Sequence, residues 1–573
     1  MLFDPEIGPA GRLWITENDF AHNGSGTRIS DSFELEAELR ELDPSERARM
    51  VTCLAPSLGP DCARIRLRAT LSPTGKIRTE WFGGDSDHAE IEAWAREAVT
   101  FTYLHPLRDA ASDLRPGRSN RLAALIGALA PHAHPDRGEV ESIMLTANKD
   151  LGKVKSIESA GSRIQTRLSE LTGGGRLDQK TDLVFAEPSF DKVVASLRAR
   201  TGSIGPVEIT ESGLGYSNLL YMSVLLSALE QTTDAALRLL LIEEPEAHLH
   251  PQLQDLLMGF LEKSGQHNSQ VIVTTHSPNL ASSAKAERLT VLSRTPTAEG
   301  KLIGRCIGDF DLVQKNLGHL RRFLDVTKSA LLFSRGVILV EGVAEQLLVP
   351  ALAEKMGLSL ASAGITVVNV EGLAFEPFID LFGPTRLPNR CAVISDADPK
   401  SVDIVDDDSD EEDQDNLGTG DAASAERDGT TSHDTAGPEE GSATENQQIS
   451  ATARKLQTLE SEQVRVFLAE KTLEWDLANT GNWESLLEAL KAVKPRKAKW
   501  LLRDHTHSTA DVRAEALLAA VVDKKGRFAQ ELAPLIAKTA QFVVPPHIDR
   551  AIRWVTTLDS EPGLSAPAEG SES

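Results

Sequence analysis

Short apolar runs alternating with stretches of helical periodicity recur through the middle of the chain, and they leave few folds open to it. Leu239–Ile242 and Val271–Thr275 enclose a helical pattern from Pro251 to Lys263. A second series runs Val337–Val340, a helix over Val343–Met356, Ile365–Val370, a helix near Phe375–Phe382, Ala392–Ser395 and, further on, Val464–Leu468. Apolar runs this short, separated by helices, are the buried strands of parallel sheets, so the fold class is α/β. Helical periodicity then dominates to Thr539, and a polar tail follows from Glu561. The boundary between the two series falls near residue 330.

Two of these runs deliver carboxylates at their C-terminal ends. Residues 337–342 read Val-Ile-Leu-Val-Glu-Gly and residues 393–398 read Val-Ile-Ser-Asp-Ala-Asp. Glu345 follows Glu341 by one helical turn, and Asp396 and Asp398 point to the same side of an extended segment. Carboxylate oxygens are what hard cations such as Mg²⁺ prefer, and a cation so held activates water or stabilises a leaving oxygen. This is the outline of a divalent-metal site for phosphodiester chemistry, and it points to nucleic acid as the substrate.

A net charge of −25 looks hostile to DNA, but its distribution is uneven. Residues 403–445 hold 16 Asp or Glu against one Arg, a net of −15 that leaves −10 for all the rest. That segment nearly lacks large apolar side chains and is expected to be a disordered insertion, spanning about 401–450. The four cysteines (Cys53, Cys62, Cys306 and Cys391) form no Cys-x-x-Cys pair, which argues against a zinc ribbon and a disulfide framework. No signal segment or membrane-length apolar run occurs, so a cytoplasmic protein without a membrane partner is expected.

The first series carries its own constellation. Leu239-Leu240-Leu241-Ile242-Glu243-Glu244-Pro245-Glu246 sets two carboxylates where a strand ends. Glu243 would hold a nucleotide-associated Mg²⁺ through water, and Glu244 would polarise the attacking water. His276, 32 residues past Glu244, ends the next strand and could sense a γ-phosphate. Upstream, Ser212-Gly213-Leu214-Gly215-Tyr216 opens a helix over Asn218–Leu229, where small residues and free N–H groups suit an anion. No Gly-x-x-x-x-Gly-Lys-[Ser/Thr] phosphate loop occurs; the nearest pieces, Gly75-Lys76 and Asn23–Thr27, lack its spacing. The remaining residues are expected to hold ATP weakly at best.

The first 110 residues alternate strand patterns (Arg64–Leu71, Ile77–Phe82) with helical ones (Phe33–Leu39, Glu90–Ala98). From about 110 to 200, with its clearest stretch between Val140 and Leu171, a helical arm or dimerisation insert is expected before Gly173-Gly174-Gly175.

Glu243–Glu246 with Ala-His-Leu-His-Pro-Gln, the Ser212–Tyr216 signature and His276 resemble ABC-type ATPases in the form seen in the overcoming-lysogenisation-defect (OLD) family. Val-Glu-Gly at 340–342 and Asp396-Ala-Asp398 resemble the Toprim signature. Pro106-Leu-Arg-Asp109, Glu341-Gly-Val-Ala-Glu345-Gln-Leu-Leu-Val-Pro, Thr472-Leu-Glu474-Trp-Asp-Leu and Lys525-Gly-Arg-Phe-Ala-Gln-Glu-Leu-Ala are also close to OLD forms. The resemblance implies an ABC-type ATPase domain over 1–330, a Toprim Rossmann-like parallel-sheet domain with C-terminal helices over 331–545, and a tail over 546–573. It places the absent phosphate loop before Ile15-Thr16-Glu17-Asn18-Asp19-Phe20, as if the first strand, loop and helix had been lost.

The resemblance further implies a two-metal nuclease using Mg²⁺ or Mn²⁺. Asp396, Asp398 and Glu341 would bind one ion, Glu345 and Glu474 would help bind the second, and Lys525 would stabilise the transition state, with Lys524 an equal geometric candidate. Absence of a tyrosine outside the ATPase region argues against topoisomerase chemistry, since Tyr103, Tyr216 and Tyr221 are the only ones. DNA, a homodimer or higher homo-oligomer, and a partner protein in phage defence are the implied partners. Arg115, Arg118, Arg121 and the Lys494–Lys499 cluster are candidates for a basic DNA channel. The competing reading is a non-catalytic ATPase-derived scaffold or nucleotide-gated defence sensor, and the intact Glu341, Asp396 and Asp398 argue against it.

Overall fold

The computed structural model describes residues 2–3, 15–23, 26–87, 91, 98–105, 113–117, 120–173, 179–202, 205–230, 237–264, 269–294, 302–372, 374–397 and 450–557. Pro106–Asp109, Arg118, Asp398, the acidic segment 403–445, the polar tail from Glu561 and nearly all of the helix expected over Glu90–Ala98 lie outside these. The chain divides into two compact units, Met1–Leu289 with Thr297–Lys301 and Thr290–Pro296 with Leu302–Ser573.

The first unit opens with an antiparallel sheet in the order β1 (Ser32–Leu39), β2 (Ala63–Leu71), β3 (Ile77–Gly83). The helix expected over Phe33–Leu39 is therefore a strand. Its Phe33, Leu35, Ala37 and Leu39 alternate with Glu34, Glu36 and Glu38 in the period of two of a strand, and the acids sit opposite Arg68, Arg66 and Arg64. A second sheet is parallel, in the order β4 (Val99–Leu104), β5 (Leu237–Glu243), β6 (Ser269–Thr274). The helical arm consists of α1 (Pro135–Gly152) and α2 (Lys155–Thr172), neither with a buried residue. Helices α3 (Leu214–Glu230) and α4 (Pro251–Ser264) complete the core around Leu104, Met222, Leu240, Ile242 and Leu257.

The second unit begins with a hairpin, β7 (Thr290–Arg294) and β8 (Leu302–Cys306), and helix α5 (Gln314–Phe323). This division lies upstream of the boundary expected near 330. The cause is visible in the side chains: Asn316 donates to Asp380 at 2.7 Å, and the His319 ring packs edge-on to Phe378 at 5.9 Å.

The sheet of this unit is parallel throughout, in the order β10-β9-β11-β12: β9 (Gly336–Val340), β10 (Ile365–Asn369), β11 (Arg390–Ser395) and β12 (Val464–Leu468). All five residues of β9 are buried, as a central strand covered on both faces requires. Between β9 and β10 runs α6 (Val343–Lys355), and after β12 come α7 (Leu473–Asn479), α8 (Trp483–Val493), α9 (Pro495–His505), α10 (Ala510–Val521) and α11 (Lys525–Lys538). The last helix, α12 (Pro546–Thr556), corrects the expected tail from 546. Ile548, Ala551, Ile552 and Val555 fall at helical spacing and are all fully buried, so this segment is core. Gly336 lets it close on the sheet, because a Cβ there would come within 2.9 Å of Val555 and 2.8 Å of Ile365.

Candidate active site

The chain leaves β9 through α6 to β10 on one side, while β11 lies on β9's other side, so the space between the C-terminal ends of β9 and β11 is a topological switch point. The register pairs Val340 with both Asn369 and Ile394, and Ser395 with Leu468, so the strands end at one edge. Open α/β sheets bind ligands at such a point because the loops diverge there and leave a crevice. A cavity of about 370 Å³ opens at this edge, and Glu341, Glu345, Asn369, Glu371, Asp396 and Lys525 are on its wall.

Each acid arrives by a different route. Glu341 is exposed, directly after the buried Val340. Glu345 is the third residue of α6 and is buried; its carboxylate folds back over the helix start, so that a Cβ on Gly342 would lie 3.1 Å from its Oε2. Asp396 is partly buried at the end of β11. Glu474, on the first turn of α7, is 1 % exposed and is not on the wall itself. It stands behind Lys525, whose Nζ is 3.1 Å from its Oε2. Lys525 begins α11 and faces the cavity, whereas Lys524 is exposed and is not on the wall.

These groups perturb one another as a low-dielectric cluster of like charges should. Burial pushes the Asp396 carboxyl up to about 8, with Glu345, Glu474 and Glu341 adding to the rise and Lys525 opposing it. Burial also raises Glu345, reinforced by Glu474 and Glu341. For Lys525 burial works against the charge, but Glu474, Asp396 and Glu345 outweigh it and hold the ammonium above its usual range.

Both oxygens of Glu474 are buried without a hydrogen bond among the described residues. Four carboxylates against one ammonium leave an excess of negative charge on hard oxygen donors, which fits a divalent cation. Among the described residues no three such side chains close on a single point as a finished cage. The fourth acid of the sequence motif, Asp398, lies outside the described residues.

Sequence reasoning missed Asn369, Glu371 and Gly372. The signal was present, since Ile365–Val370 followed by Glu371 repeats the apolar-run-then-acid pattern of the neighbouring strands. Glu371 adopts a left-handed backbone (φ 58°) and Gly372 another (φ 70°), and Gly372 N donates to Glu341 O at 2.9 Å. The buried Lys328 holds this turn from below, 2.6 Å from Asp325 and 3.6 Å from Glu371.

In the first unit Glu243 ends β5, and Glu244 follows with φ 43°, its N–H donating to Thr274 O at 2.9 Å. The structure brings Glu244 and His276 together, with Oε1 and Nε2 3.5 Å apart. Glu246, unassigned in the sequence, fixes that turn by accepting from Thr275 Oγ1 at 2.7 Å and His276 N at 2.9 Å. Tyr103, also missed, is pushed up to about 12 by burial and by its hydrogen bond to Glu243. Ser212 uses its hydroxyl on Ile209 O and Ser217, within its own turn. Gly213 has open space around it. Gly215 packs against the His248 carbonyl, which a Cβ would meet at 2.7 Å.

A family model described as AAA ATPase domain matches residues 109–281, and one described as overcoming lysogenization defect protein-like, TOPRIM domain, matches residues 332–398. Among curated proteins the chain is similar to Endonuclease GajA of Bacillus cereus (strain HuB5-5), 25% identical over 287 residues that make up 45% of this chain and 41% of that protein. It is also similar to Old nuclease of Escherichia phage P2, 25% identical over 209 residues, 34% of this chain and 35% of that protein. The matched part is thus less than half the length of either relative. Among solved structures, the C-terminal region of the Xanthomonas campestris pv. campestris OLD protein is 27% identical, covering 40% of this chain and 94% of that one with a TM-score of 0.26.

Proposed function

We propose that the chain, with its ATPase-type region followed by a Toprim domain like that of overcoming-lysogenisation-defect (OLD) proteins, is a metal-dependent endonuclease of that family that hydrolyses phosphodiester bonds of DNA. The observation that carries the reading is the meeting of Glu341, Glu345, Asp396 and Lys525 on one cavity at the switch point of the parallel sheet.

In this reading Glu341 and Asp396, with Asp398, would hold one Mg²⁺ or Mn²⁺, and Glu345 would help to hold a second, for which Glu474 would have to turn from its place behind Lys525. Such ions, when bound, activate the attacking water and stabilise the leaving oxygen of an in-line displacement. The protein's own groups do the rest. Lys525, kept charged by Glu474, offers an ammonium on the cavity wall for the extra charge that grows on the phosphoryl oxygens. Gly372 N and the Lys328–Glu371 contact fix the backbone from which the Glu341 carboxylate projects.

The ATPase-type unit serves assembly and regulation in this proposal, as a homodimer or larger oligomer. In this reading Glu243, Glu244 and His276 would take the places of a nucleotide site, and Glu244 and His276 lie 3.5 Å apart.

Plasmid cleavage by the purified protein tests the proposal, with Mg²⁺ or Mn²⁺, with and without ATP, beside Asp396→Ala. Metal-dependent nicking that the substitution abolishes and ATP scarcely alters is expected. Equal cleavage by the substituted protein would overturn the site, and strong ATP dependence would overturn the loss of nucleotide control.

A further inference from the structure

Helix α9 turns Ala498 and Leu501 into the core and leaves Arg496, Lys497, Lys499, Trp500 and Arg503 exposed. Arg496, Lys499, Trp500 and Arg503 fall three, four and seven residues apart, and so form one stripe along the helix. From Lys491 to Arg503 the sequence holds six Lys or Arg and no Asp or Glu, in a chain of net charge −25. Within the stripe Arg503 is paired with the adjacent Asp504 at 2.6 Å. Arg496, Lys497 and Lys499 have no such ion pair among the described residues. The indole of Trp500 is exposed within the stripe, with the Lys497 ammonium 5.5 Å from its ring centre.

The stripe is tied to the cavity. Lys494, at the start of α9, donates to Ala520 O at 2.9 Å and pairs with Asp523, two residues before Lys525. The turn that delivers the Lys525 ammonium to the cavity is therefore bonded to the end of the basic helix, and exposed Lys524 lies between them. Eleven helical residues span about 16 Å, a length over which one DNA strand presents about five phosphates.

We propose that this face of α9 grips the phosphate backbone of the DNA duplex beside the bond to be cut and sets the strand over the Lys525 cavity. The proposal rests on the nuclease reading above and assigns its substrate a surface. Arg496, Lys497 and Lys499 break no ion pair in turning to phosphates, and a duplex brings a high density of negative charge to them. Trp500 adds a flat apolar surface for sugar or an unstacked base.

The test uses the full chain with Arg496→Ala, Lys497→Ala and Lys499→Ala together, and a charge-matched control carrying Lys455→Ala, Arg550→Ala and Arg553→Ala. Anisotropy of a labelled duplex in EDTA, across a salt series, reads affinity without cleavage. The α9 variant should bind about tenfold more weakly at 0.1 M salt, with a log–log salt slope smaller by about 2 to 3, while the control changes little. At plasmid concentrations below KM its metal-dependent nicking should fall by about the same factor as its affinity. Trp500→Ala should weaken binding a further few-fold and Trp500→Phe should restore it. Unchanged affinity and slope, or an equal loss in the control, would overturn the proposal. Tighter duplex binding by the α9 variant would also overturn it, and would assign the face to the acidic segment 403–445 of the same chain. A parent protein that binds duplex through α9 but never nicks would overturn the nuclease reading alone.

Discussion

The Lys525 ammonium lies 3.1 Å from Oε2 of Glu474, a carboxylate 1 % exposed whose oxygens accept no hydrogen bond among the described residues. A buried charge with a single partner is sensitive to that partner's removal. Lys525→Met should therefore destabilise the metal-free protein by about 2–3 kcal/mol, and adding Glu474→Gln should recover most of the loss. Urea unfolding of the two single variants and the double variant in EDTA gives the coupling directly. Simple additivity would mean that the ion pair does not hold α7 to α11. Nicking at saturating metal should fall at least a hundredfold in Lys525→Met and be partly restored in Lys525→Arg.

Asp396 gives the opposite sign. Its folded carboxyl, raised to about 8 by burial and by Glu345, lies above the unfolded value of 3.8. The protonated group favours the fold at low pH, and that contribution is lost as pH rises from about 4 through about 8. Asp396→Asn removes the charge while keeping the shape. It should stabilise the metal-free protein by on the order of 1–3 kcal/mol at pH 9 and by little at pH 5, while abolishing cleavage. Thermal melts in EDTA from pH 5 to pH 9 would show the two curves diverging; parallel curves would mean that Asp396 ionises freely.

These two sites show what could be read from the chain and what could not. The strands of the parallel sheet were legible because burial on both faces makes each an unbroken apolar run, and the sheet then carries Glu341 and Asp396 to one edge by register alone. Lys525 and Glu474 carry no such local mark. Their meeting depends on α11 packing against α6 and on α7 following β12, and only the family resemblance singled them out. The misread β1 shows the converse: Phe33, Leu35, Ala37 and Leu39 alternate with Glu34, Glu36 and Glu38 in the period of two of a strand, a signal that the helix-favouring composition masks. The segment from 546, expected as a tail, carries Ile548, Ile552 and Val555 at the spacing of a buried helical face.

Gly215 lies in the first turn of α3, where a Cβ would sit 2.7 Å from the His248 carbonyl oxygen. Backbone cannot yield as a flexible side chain does, so Gly215→Ala must push α3 away from the loop that carries Glu244. Gly213, with open space around it, should accept alanine with little change. The first substitution should cost about 1–3 kcal/mol and the second well under 1, by the same unfolding assay. Equal costs would mean that close approach is not the reason for glycine at 215.

Lys328 is 2 % exposed and stands between Asp325 at 2.6 Å and Glu371 at 3.6 Å, beneath the turn that bonds Glu341. Burial works to raise the Asp325 carboxyl, but hydrogen bonds from Lys328 and Thr327 outweigh it and bring the group down to about 2, below the unfolded 3.8. Stability from this contact is therefore complete above about pH 4 and is lost as pH falls through about 2. Lys328→Met removes the cation, so the acid-unfolding midpoint should move to higher pH, and stability at neutral pH should drop by roughly 1 kcal/mol, since Asp325 is half exposed and can rehydrate. Because Glu371 has a strained left-handed backbone and loses its cation in the same variant, the turn at Gly372 should loosen its hold on Glu341. Nicking should then demand more Mn²⁺ for half-maximal rate in Lys328→Met, with the rate at saturating Mn²⁺ nearly kept. An unshifted acid limb would dismiss the ion pair, and an unshifted Mn²⁺ requirement would dismiss the path from Lys328 to Glu341.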